Sequence, residues 1–364
     1  MSSLRALAIY LPQFHPISEN DEWWGTGFTE WTNVTKALPR FPGHYQPQLP
    51  ADLGFYDLRL PQARQAQAEL AKAYGIHGFC YYHYWFNGRR VLDQPFEEVL
   101  SSGSPDFPFC LCWANENWTR RWDGQDEELL LKQDYSEADD VAHIQYLATA
   151  FADPRYIRVD GKPVFIIYRA DLFPDISRTL TTWRVEAKRL GVGELYLIKI
   201  ERFVQDKTAD LQGFDATMQF EPDGSSIPKK YEVGLFRKIM NKLEITKAPF
   251  LNDDVFSYKE HVRNAMQQPI PTYKRYPCIM PSWDNSARRK KGAFIMHGST
   301  PSIYERWLAH IVKTFKPFSK EENFIFINAW NEWAEGNHLE PCQRWNRQYL
   351  EATKRVLVTS NPTE

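Results

Sequence analysis

Two carboxylates stand among tryptophans near the C-terminal end of the sequence. Glu332 and Glu335 lie in the segment NFIFINAWNEWAEGNHLEP, which spans residues 323–341, and Trp330 and Trp333 flank Glu332. A buried carboxylate is costly unless it is paired or keeps a proton, so a chain that places two beside indole rings uses that environment. Paired acids against aromatic walls are typical of sites that protonate a glycosidic oxygen and hold a sugar ring.

The spacing of Glu332 and Glu335 adds a geometric expectation. Residues three apart lie on one side of a helical turn, which predicts carboxyl groups a few ångströms apart. A close pair favours retention of configuration at the sugar, whereas a wide pair leaves room for water and inverts. The alternative is that one acid caps the next helix or pairs with Arg344 or Arg347. That alternative applies more to Glu335, because Glu332 stands between two tryptophans.

Short apolar runs alternate with segments of helical spacing along the chain. The predicted strands are 5–11, 76–82, 107–114, 163–169, 194–200, 214–220, 276–280 and 324–328, and the predicted helices are 61–74, 92–100, 137–151, 176–190, 257–267, 301–315 and 348–358. This alternation predicts a parallel sheet with right-handed crossovers. We predict an α/β fold, a single (β/α)8 TIM-type barrel with long βα loops, over residues 1–358. Residues 229–268 are interpreted as an insertion and 359–364 as a frayed tail.

The residues after the predicted strands favour a closed barrel over an open doubly wound sheet. Several strand ends carry polar and aromatic residues, and no Gly-rich nucleotide turn of the GxGxxG type occurs. A long loop after the first strand carries Trp23, Trp24, Glu30 and Trp31. In such barrels the active site lies at the carboxyl ends of the strands, so we expect the polar and aromatic residues that end the strands to meet in one cleft.

The predicted catalytic residues are Glu332 and Glu335. The predicted substrate-binding residues are Gln13, His15, His83, Tyr84, Trp85, Trp113, Asn115, Glu116, Asn117, Trp118, Glu221, Trp283, Trp330, Asn331, Trp333 and Glu340. His83 is interpreted as a hydrogen-bonding wall residue, because the two acids already fill both proton-transfer roles. For Glu116 two interpretations stay open: with its flanking amides it contacts sugar hydroxyls, or it holds loop backbone in place. A metal site of His15, His83 and a glutamate lacks a diagnostic spacing, so no metal and no cofactor are predicted.

Composition narrows the class of partner. Aromatic residues make up 15% of the chain and include 13 Trp, which exceeds the needs of a core and favours carbohydrate as ligand. The net charge of −2 gives no general argument for nucleic acid or an anionic membrane. The basic run at 288–291 is interpreted as a solvated loop. The alternative comes from its place after the seventh strand, a common phosphate site in this fold, where it would meet a nucleotide-sugar, a lipid diphosphate or an acidic glycan.

Cysteine usage and the N-terminal sequence bear on location. The chain has 5 cysteines, and four of them lie in apolar runs: Cys80, Cys110, Cys112 and Cys278, but not Cys342. The odd number and the apolar surroundings predict buried, reduced thiols. Neither a signal-peptide pattern nor an apolar run of membrane-spanning length occurs. We therefore expect a cytoplasmic protein without an integral membrane segment, and we leave the oligomeric state open.

Several motifs resemble a known family. NEWAEG at 331–336, followed by Glu-Pro at 340–341, is similar to the NEWxEG…EP signature of glycoside hydrolase family 99, the endo-acting α-mannosidases, although Ala334 stands where those enzymes often carry histidine. AIYLPQFHP at 8–16, GFTEWTNV at 27–34, GFCYYHYWF at 78–86 and WANENWTRRWDG at 113–124 resemble the bacterial glycosyltransferase WbsX or family 99-like proteins over nearly the whole chain.

The resemblance implies a mechanism. Family 99 enzymes retain configuration without a covalent enzyme intermediate: one glutamate takes the proton of the sugar's 2-hydroxyl, which attacks the anomeric carbon, and the other protonates the leaving oxygen. Carried over by position, Glu332 is the base and Glu335 the acid that later activates water. This chemistry needs the 2-hydroxyl opposite the leaving group, which implies an α-linked sugar of manno type, such as mannose or rhamnose.

Three functions compete at this point. The leading hypothesis is a glycosidase that acts on internal α-linkages of a bacterial polysaccharide or its fragments. The chief alternative is a glycosyltransferase. The sequence has neither a nucleotide-binding fingerprint nor a DxD motif, which argues against it, and Asp253-Asp254 is only a weak substitute for that motif. The third is a carbohydrate-binding module without turnover, and the presence of both acids argues against it.

Overall fold

A ring of parallel strands forms the centre of the computed structural model, which describes residues 4–120, 125–202, 210–231 and 253–358. The ring strands are β1 (Arg5–Tyr10), β2 (Gly78–His83), β3 (Phe109–Trp113), β4 (Lys162–Ile167), β5 (Tyr196–Glu201), β6 (Ala216–Gln219), β7 in two halves (Arg275–Tyr276 and Cys278–Ile279) and β8 (Phe324–Ile327). β8 reads FIFI and is buried at every residue. Continuous apolar runs of this kind are typical of strands covered on both faces.

The two halves of β7 close the ring. The sheet order runs from the first half of β7 through β6, β5, β4, β3, β2, β1 and β8 to the second half of β7. Tyr276 is in register with Met218 of β6, and Cys278 is in register with Phe326 of β8. Pro277 separates the halves because it has no backbone N–H to donate to a ladder. The predicted (β/α)8 TIM-type fold is therefore confirmed.

Helices surround the ring and also occupy its first loop. They are α1 (Ser18–Trp24), α2 (Glu30–Thr35), α3 (Pro61–Ala73), α4 (Gln94–Ser102), α5 (Glu137–Phe151), α6 (Ile176–Arg189), α7 (Tyr258–Met266), α8 (Pro301–Thr314) and α9 (Gln348–Leu357). Local sequence explains several starts: Ser136 accepts a hydrogen bond from the Asp139 amide before α5, and Thr300 accepts one from the Ile303 amide before α8.

The segment interpreted as an insertion contributes to the barrel itself. Within 229–268, the residues 232–252 lie outside the described part, while α7 connects β6 to β7 and takes the place of a barrel helix. Tyr258 on α7 donates a hydrogen bond to the Met280 carbonyl at 2.7 Å, which ties this helix to the end of β7. The predicted tail at 359–364 also lies outside the described residues.

Short elements order the loops at the carboxyl ends of the strands. They are the strands Trp85–Phe86, Arg89–Arg90, Trp118–Arg120, Gln125–Leu131, Asp254–Ser257, Trp283–Asp284, Phe294–His297, Asn331–Glu332 and Asn337–His338, and the 3-10 turns Ala170–Leu172, Asn285–Ala287 and Trp333–Glu335. A further short strand, Arg158–Val159, pairs with the amino end of β4. Most of the strands pair with a neighbour in the same loop, so the long loops are braced by their own hydrogen bonds.

Gly78 marks a close approach of two backbones in the ring. A Cβ atom added there would lie 2.5 Å from the Pro108 carbonyl oxygen. Because the Pro108 carbonyl accepts a hydrogen bond from the Phe79 amide at 3.0 Å, it cannot move without breaking that bond. We therefore expect Gly78→Ala to lower the free energy of unfolding by about 1–3 kcal/mol. Gly224→Ala is the matched control, since nothing lies within 4 Å of its added Cβ. Thermal unfolding measures both, and an equal Tm for the two variants would contradict the packing at Gly78.

All five cysteines are buried and free, as the sequence predicts. Among the described residues no group of three or more histidine, cysteine or acidic side chains is arranged to hold a metal ion. The helices of the described part are all too short or too polar to cross a membrane.

Candidate active site

A cleft of about 590 Å³ opens at the carboxyl ends of the ring strands. Its lining includes the aromatic residues Trp23, Trp24, Tyr82, Tyr84, Trp118, Tyr168, Phe220, Trp283 and Phe294 and the charged residues Glu116, Arg202, Arg288, Arg289, Glu332 and Glu335, together with Gln13 and Asn117. The ring of Trp118 lies 6.0 Å from that of Trp23 and 5.2 Å from that of Tyr84, centroid to centroid. Indoles from loops far apart in sequence therefore meet beside the two glutamates.

The turn after β8 places both glutamates on one side. Asn331–Glu332 pairs with Asn337–His338, and the 3-10 turn Trp333–Glu335 lies between these strands. Gly336 has a φ of 55°, a left-handed conformation that most side chains disfavour. Because side chains three apart are aligned in a 3-10 turn, Glu332 and Glu335 face the same direction.

One guanidinium joins the two predicted catalytic carboxylates. Arg288 Nη2 donates to Glu332 Oε2 at 2.8 Å, and Arg288 Nη1 donates to Glu335 Oε1 at 2.7 Å. Arg288 Nη2 also lies 2.6 Å from Oε1 of Glu30, at the start of α2. The same Glu30 oxygen accepts a hydrogen bond from the Ala334 amide at 3.1 Å. Three carboxylates from two loops, the loop after β1 and the loop after β8, thus surround a single arginine.

The loop that carries Arg288 is held from the first loop of the barrel. Asp284, at the end of a two-residue strand, accepts a hydrogen bond from Gln46 Nε2 at 2.6 Å and lies 2.7 Å from His44 Nε2. Asp284 also accepts from the Ser286 amide at 3.0 Å, which starts the turn that leads to Arg288. Because Asp284 is buried and fully engaged, the path of the chain into Arg288 is fixed by these contacts.

Burial dominates the electrostatics of the glutamate pair. It raises the pKa of both Glu332 and Glu335, while the Arg288 guanidinium opposes the rise and the neighbouring carboxylates add to it. The Glu332 side chain is 6% exposed and that of Glu335 is 21% exposed. Two interacting acids titrate as a unit, so the pair keeps a proton at a higher pH than a free glutamate, whose pKa is about 4.3.

Glu116 lies on the cleft and is also bound within the protein. Its Oε1 accepts hydrogen bonds from Arg169 Nη1 at 2.6 Å and from Arg202 Nη1 at 3.2 Å. Arg202 lies over the Tyr168 ring, 5.4 Å from its centroid. Glu116 therefore pairs with two arginine side chains and also lines the space where a ligand would lie, and its predicted contact with sugar hydroxyls stays a prediction.

The amides beside Glu116 hold the loop. Asn115 Nδ2 donates to Tyr135 Oη at 2.9 Å and to the Arg169 carbonyl at 2.8 Å, and Asn115 is buried away from the cleft. Asn117 lines the cleft, and its Oδ1 accepts a hydrogen bond from the Gln133 amide at 2.6 Å.

Three predicted binding residues on β2, on β3 and in the short strand Trp85–Phe86 point away from the cleft. His83 Nε2 lies 2.9 Å from His143 Nε2 on α5, and burial lowers the pKa of His83 to about 3. Trp85 stacks on the same His143 with a 4.7 Å centroid distance, and Trp113 Nε1 donates to the Trp85 carbonyl. Side chains alternate between the two faces of a strand. The cleft receives Tyr82 and Tyr84 instead, which lie on either side of His83.

A second group of predicted residues supports the glutamate-bearing turn from behind. Asn331 exchanges two hydrogen bonds with the Leu11 backbone, at 2.7 and 3.0 Å. Glu340 accepts from Trp333 Nε1 at 2.6 Å and from Tyr56 Oη at 2.8 Å, and burial raises the pKa of Glu340 to about 7. Trp330 is fully buried, and its ring lies 5.2 Å from that of Phe79 on β2, centroid to centroid. These four residues are packed below the cleft and do not line it.

His15 and Glu221 are also buried outside the lining. Glu221 accepts hydrogen bonds from Gln219 Nε2 and the Asp223 amide, both at 2.8 Å, and lies 2.8 Å from His261 Nε2 on α7. Its carboxylate is thus fully engaged between β6 and α7.

Two charged residues of the site, Arg202 and Arg288, were not among the predicted site residues, and Glu30 was named only as part of the long first loop. Glu30, Arg202 and Arg288 all contact or face the predicted acids. Arg288 was part of the run interpreted as a solvated loop, and that interpretation is wrong for this residue, which is 13% exposed. The alternative pairing of Glu335 is also wrong. Arg344 lies over the Tyr45 ring, and Arg347 pairs with Asp52.

Comparison with known proteins identifies the family. A family model described as glycosyltransferase WbsX matches residues 6–353. The chain belongs to the glycosyltransferase WbsX family. Two relatives from Xanthomonas campestris pv. campestris, from strain B100 and strain ATCC 33913, both named uncharacterized protein WxcX, are 44% and 43% identical over 354 residues. These matches cover 97% of this chain and 49% of each relative, so this WbsX family chain spans about half the length of the curated relatives it matches.

Solved structures share the fold of this WbsX family member. A glycoside hydrolase-like protein superimposes with a TM-score of 0.59 at 15% identity and covers 98% of this chain and 94% of its own. The GH99 endo-alpha-mannosidase from Bacteroides thetaiotaomicron superimposes with a TM-score of 0.58 in complex with Bis-Tris-propane, at 13% identity, covering 97% and 96% of the two chains. A second structure of that mannosidase gives a TM-score of 0.56 at 13% identity over 98% and 97%. At these identities the likeness shows a shared fold.

Proposed function

We propose that this protein is a retaining glycoside hydrolase that cleaves α-linked sugars of manno configuration, such as mannose or rhamnose, in a bacterial polysaccharide or its fragments. The observation that carries the proposal is the joining of Glu332 and Glu335 by Arg288 at the base of an aromatic cleft. Two carboxyl groups bound to one guanidinium are close enough to act on a single glycosidic bond.

The proposed first step uses the sugar's own 2-hydroxyl. Its proton passes to the Glu332 carboxylate as its oxygen bonds to C1, and the bond from C1 to the leaving oxygen breaks as Glu335 donates a proton to that oxygen. In the second step Glu335, now a carboxylate, takes a proton from water. The water oxygen bonds to C1, the bond between C1 and O2 breaks, and Glu332 returns its proton to O2. Two inversions at C1 give net retention.

The electrostatics of the pair suit this sequence of proton transfers. In each step one glutamate gains a proton as the other loses one, so the pair carries one negative charge before and after. Arg288 contacts both carboxylates and therefore faces the same total charge throughout. A fixed cation beside a constant charge needs no reorganisation during the reaction, which favours catalysis. We assign Arg288 as a positioning residue for both acids.

The cleft walls supply surfaces for a sugar chain. Trp23, Trp118 and Trp283 come from three different loops and line the same space. Flat indole faces stack on the C–H faces of pyranose rings and expose N–H groups to hydroxyls. We propose that Gln13, Tyr84 and Asn117 provide polar contacts, while the predicted residues buried elsewhere position the loops.

A glycosyltransferase is the second candidate, and the family's own description favours it. Only one acid of the weak DxD substitute is exposed, because Asp253 is fully buried against Arg40 at 2.8 Å while Asp254 pairs with Lys230 at the surface. A transferase on this scaffold would therefore use the cleft acids for a sugar donor. A binding protein without turnover is the third candidate, and the engaged acid pair gives it no specific support.

Product analysis separates the three candidates. The protein is incubated with α-mannosyl and α-rhamnosyl oligosaccharides, with and without nucleotide sugars and divalent metal, and products are followed by mass spectrometry. The proposal predicts shorter oligosaccharides with no added nucleotide sugar, and none with Glu335→Gln. Product growth that requires a nucleotide sugar would support the transferase, and tight binding without product would support the binding protein.

A further inference from the structure

The second arginine of the basic run also lines the cleft. Arg289 follows Arg288 directly, is half-buried, and forms part of the same lining as Glu332 and Glu335. Lys291, two residues further along the run, is exposed and lies outside the lining. The basic run therefore divides into an inner part that faces the ligand space and an outer part in solvent.

The position of Arg289 is fixed by a buried ion pair. Arg40 Nη1 binds both carboxylate oxygens of Asp253 at 2.8 and 2.9 Å, and the Asp253 side chain is 0% exposed. Arg40 Nη2 donates to the Ser286 carbonyl at 2.9 Å and to the Arg289 carbonyl. Breaking a buried ion pair of this kind leaves an uncompensated charge in the interior, so Arg40 stays in place and holds the two carbonyl groups of the loop. Arg289 is presented to the cleft by an ordered loop.

The arginines that line the cleft differ in the number of acidic side chains that they bind. Arg288 is bound to three carboxylates and Arg202 to Glu116. Among the residues that the structure describes, the Arg289 side chain has neither an acidic partner nor a hydrogen bond. A guanidinium on a partly dehydrated wall binds carboxylate or phosphate through paired, charge-assisted hydrogen bonds. The anion that would match Arg289 can come with the substrate.

We propose that the substrate carries an oxyanion, a carboxylate or a phosphate, on the sugar beside the loop after β7, and that Arg289 binds it. The inference rests on the proposed function and specifies its substrate class: an acidic glycan of manno configuration. Carboxylate and phosphate share the recognition chemistry, and the experiment separates them.

Three probes test the inference by NMR titration of the wild-type protein at constant ionic strength. They are methyl α-mannopyranoside, the corresponding 6-carboxylate, and the corresponding 6-phosphate. A hydrogen bond to a charged group contributes about 1.5–3 kcal/mol, so we expect at least one anionic probe to bind about ten- to a hundredfold more tightly than the neutral one. The probe with the larger gain identifies the anion.

Variants assign the gain to Arg289. Arg289→Ala is expected to remove the preference, so that the anionic and neutral probes bind this variant with similar affinity, while Arg289→Lys keeps part of the preference. Lys291→Ala is the matched control and keeps all of it. Equal affinities in the wild type, a preference that survives Arg289→Ala, or no binding of any probe would overturn the inference.

The results that would refute the inference about Arg289 differ from those that would refute the proposed hydrolysis. Cleavage of neutral oligosaccharides without an anionic preference refutes only the inference about Arg289. An Arg289-dependent anionic preference without any cleavage product refutes only the proposed hydrolysis.

Discussion

Glu332→Gln is expected to lower kcat for an α-manno-configured oligosaccharide by about two to four orders of magnitude while the affinity for substrate changes little. A general base contributes roughly that factor, and Gln preserves the size of the side chain and a hydrogen bond to Arg288, which lies 2.8 Å from Glu332 Oε2. Steady-state kinetics with an independent Kd titration measures the two effects. Glu351→Gln, at an exposed position on α9, is the matched control and should leave both unchanged.

A substrate with a better leaving group distinguishes the roles of the two acids. Fluoride departs without a proton from the enzyme, so Glu335→Gln should recover the first step on an α-mannosyl fluoride, whereas Glu332→Gln should stay slow. The lower exposure of Glu332, 6% against 21% for Glu335, makes the assignment worth testing, because the more buried acid holds a proton more readily. Recovery by Glu332→Gln alone would reverse the roles, and unchanged turnover would reject Glu332 as base.

Arg288→Ala is expected to lower kcat by about two to three orders of magnitude, comparable to the loss of a fixed donor in other active sites, and to shift the pH dependence. Arg288 opposes the rise of the pKa of both Glu332 and Glu335. Without the cation the pair therefore holds its proton to a higher pH. Because the acid must be protonated to act, the alkaline limb of the rate profile should move to higher pH.

The pH profile separates a positioning role from a loss of folded protein. A smaller amount of folded enzyme lowers the rate at every pH and leaves the limb where it was, while loss of Arg288 moves the limb. Arg288→Lys keeps a cation and should give an intermediate shift, and Lys291→Ala should give none. A limb that stays in place or moves to lower pH would contradict the assignment of Arg288.

Local pattern was sufficient to predict the fold. The buried run at β8 and the apolar runs at β2 to β6 have the composition of strands covered on both faces, and α5 extends over Glu137–Phe151 as its periodicity predicts. The seventh strand is split at Pro277, and a proline within a predicted strand is visible in the sequence itself. Element type and order depend on short-range information, which is why they were predictable.

The candidate site depended on long-range contacts that no local pattern encodes. Glu30 and Arg288 are separated by 258 residues and meet only because the first and seventh loops lie at one end of the ring. A charge run in isolation is usually a solvated face, so nothing in residues 288–291 themselves distinguished Arg288 from its neighbours.

The alternation of side chains along β2 separates the residues that face the cleft from those that do not. His83 and Trp85 share one face of β2 and its extension, while Tyr82 and Tyr84 share the other, which forms the cleft wall. The two-residue period of a strand assigns these residues to opposite faces. Applying that period would have excluded His83 and Trp85 from the cleft and included Tyr82.

The anomeric configuration of the first product tests the central claim most directly. Wild-type protein is mixed with an α-manno-configured oligosaccharide in the absence of nucleotide sugar and metal, and the anomeric proton of the new reducing end is followed by NMR before mutarotation. We predict that the α anomer appears first and that Glu335→Gln abolishes its formation. A β anomer formed first, or cleavage that persists in Glu335→Gln, would contradict retaining hydrolysis by the Glu332 and Glu335 pair.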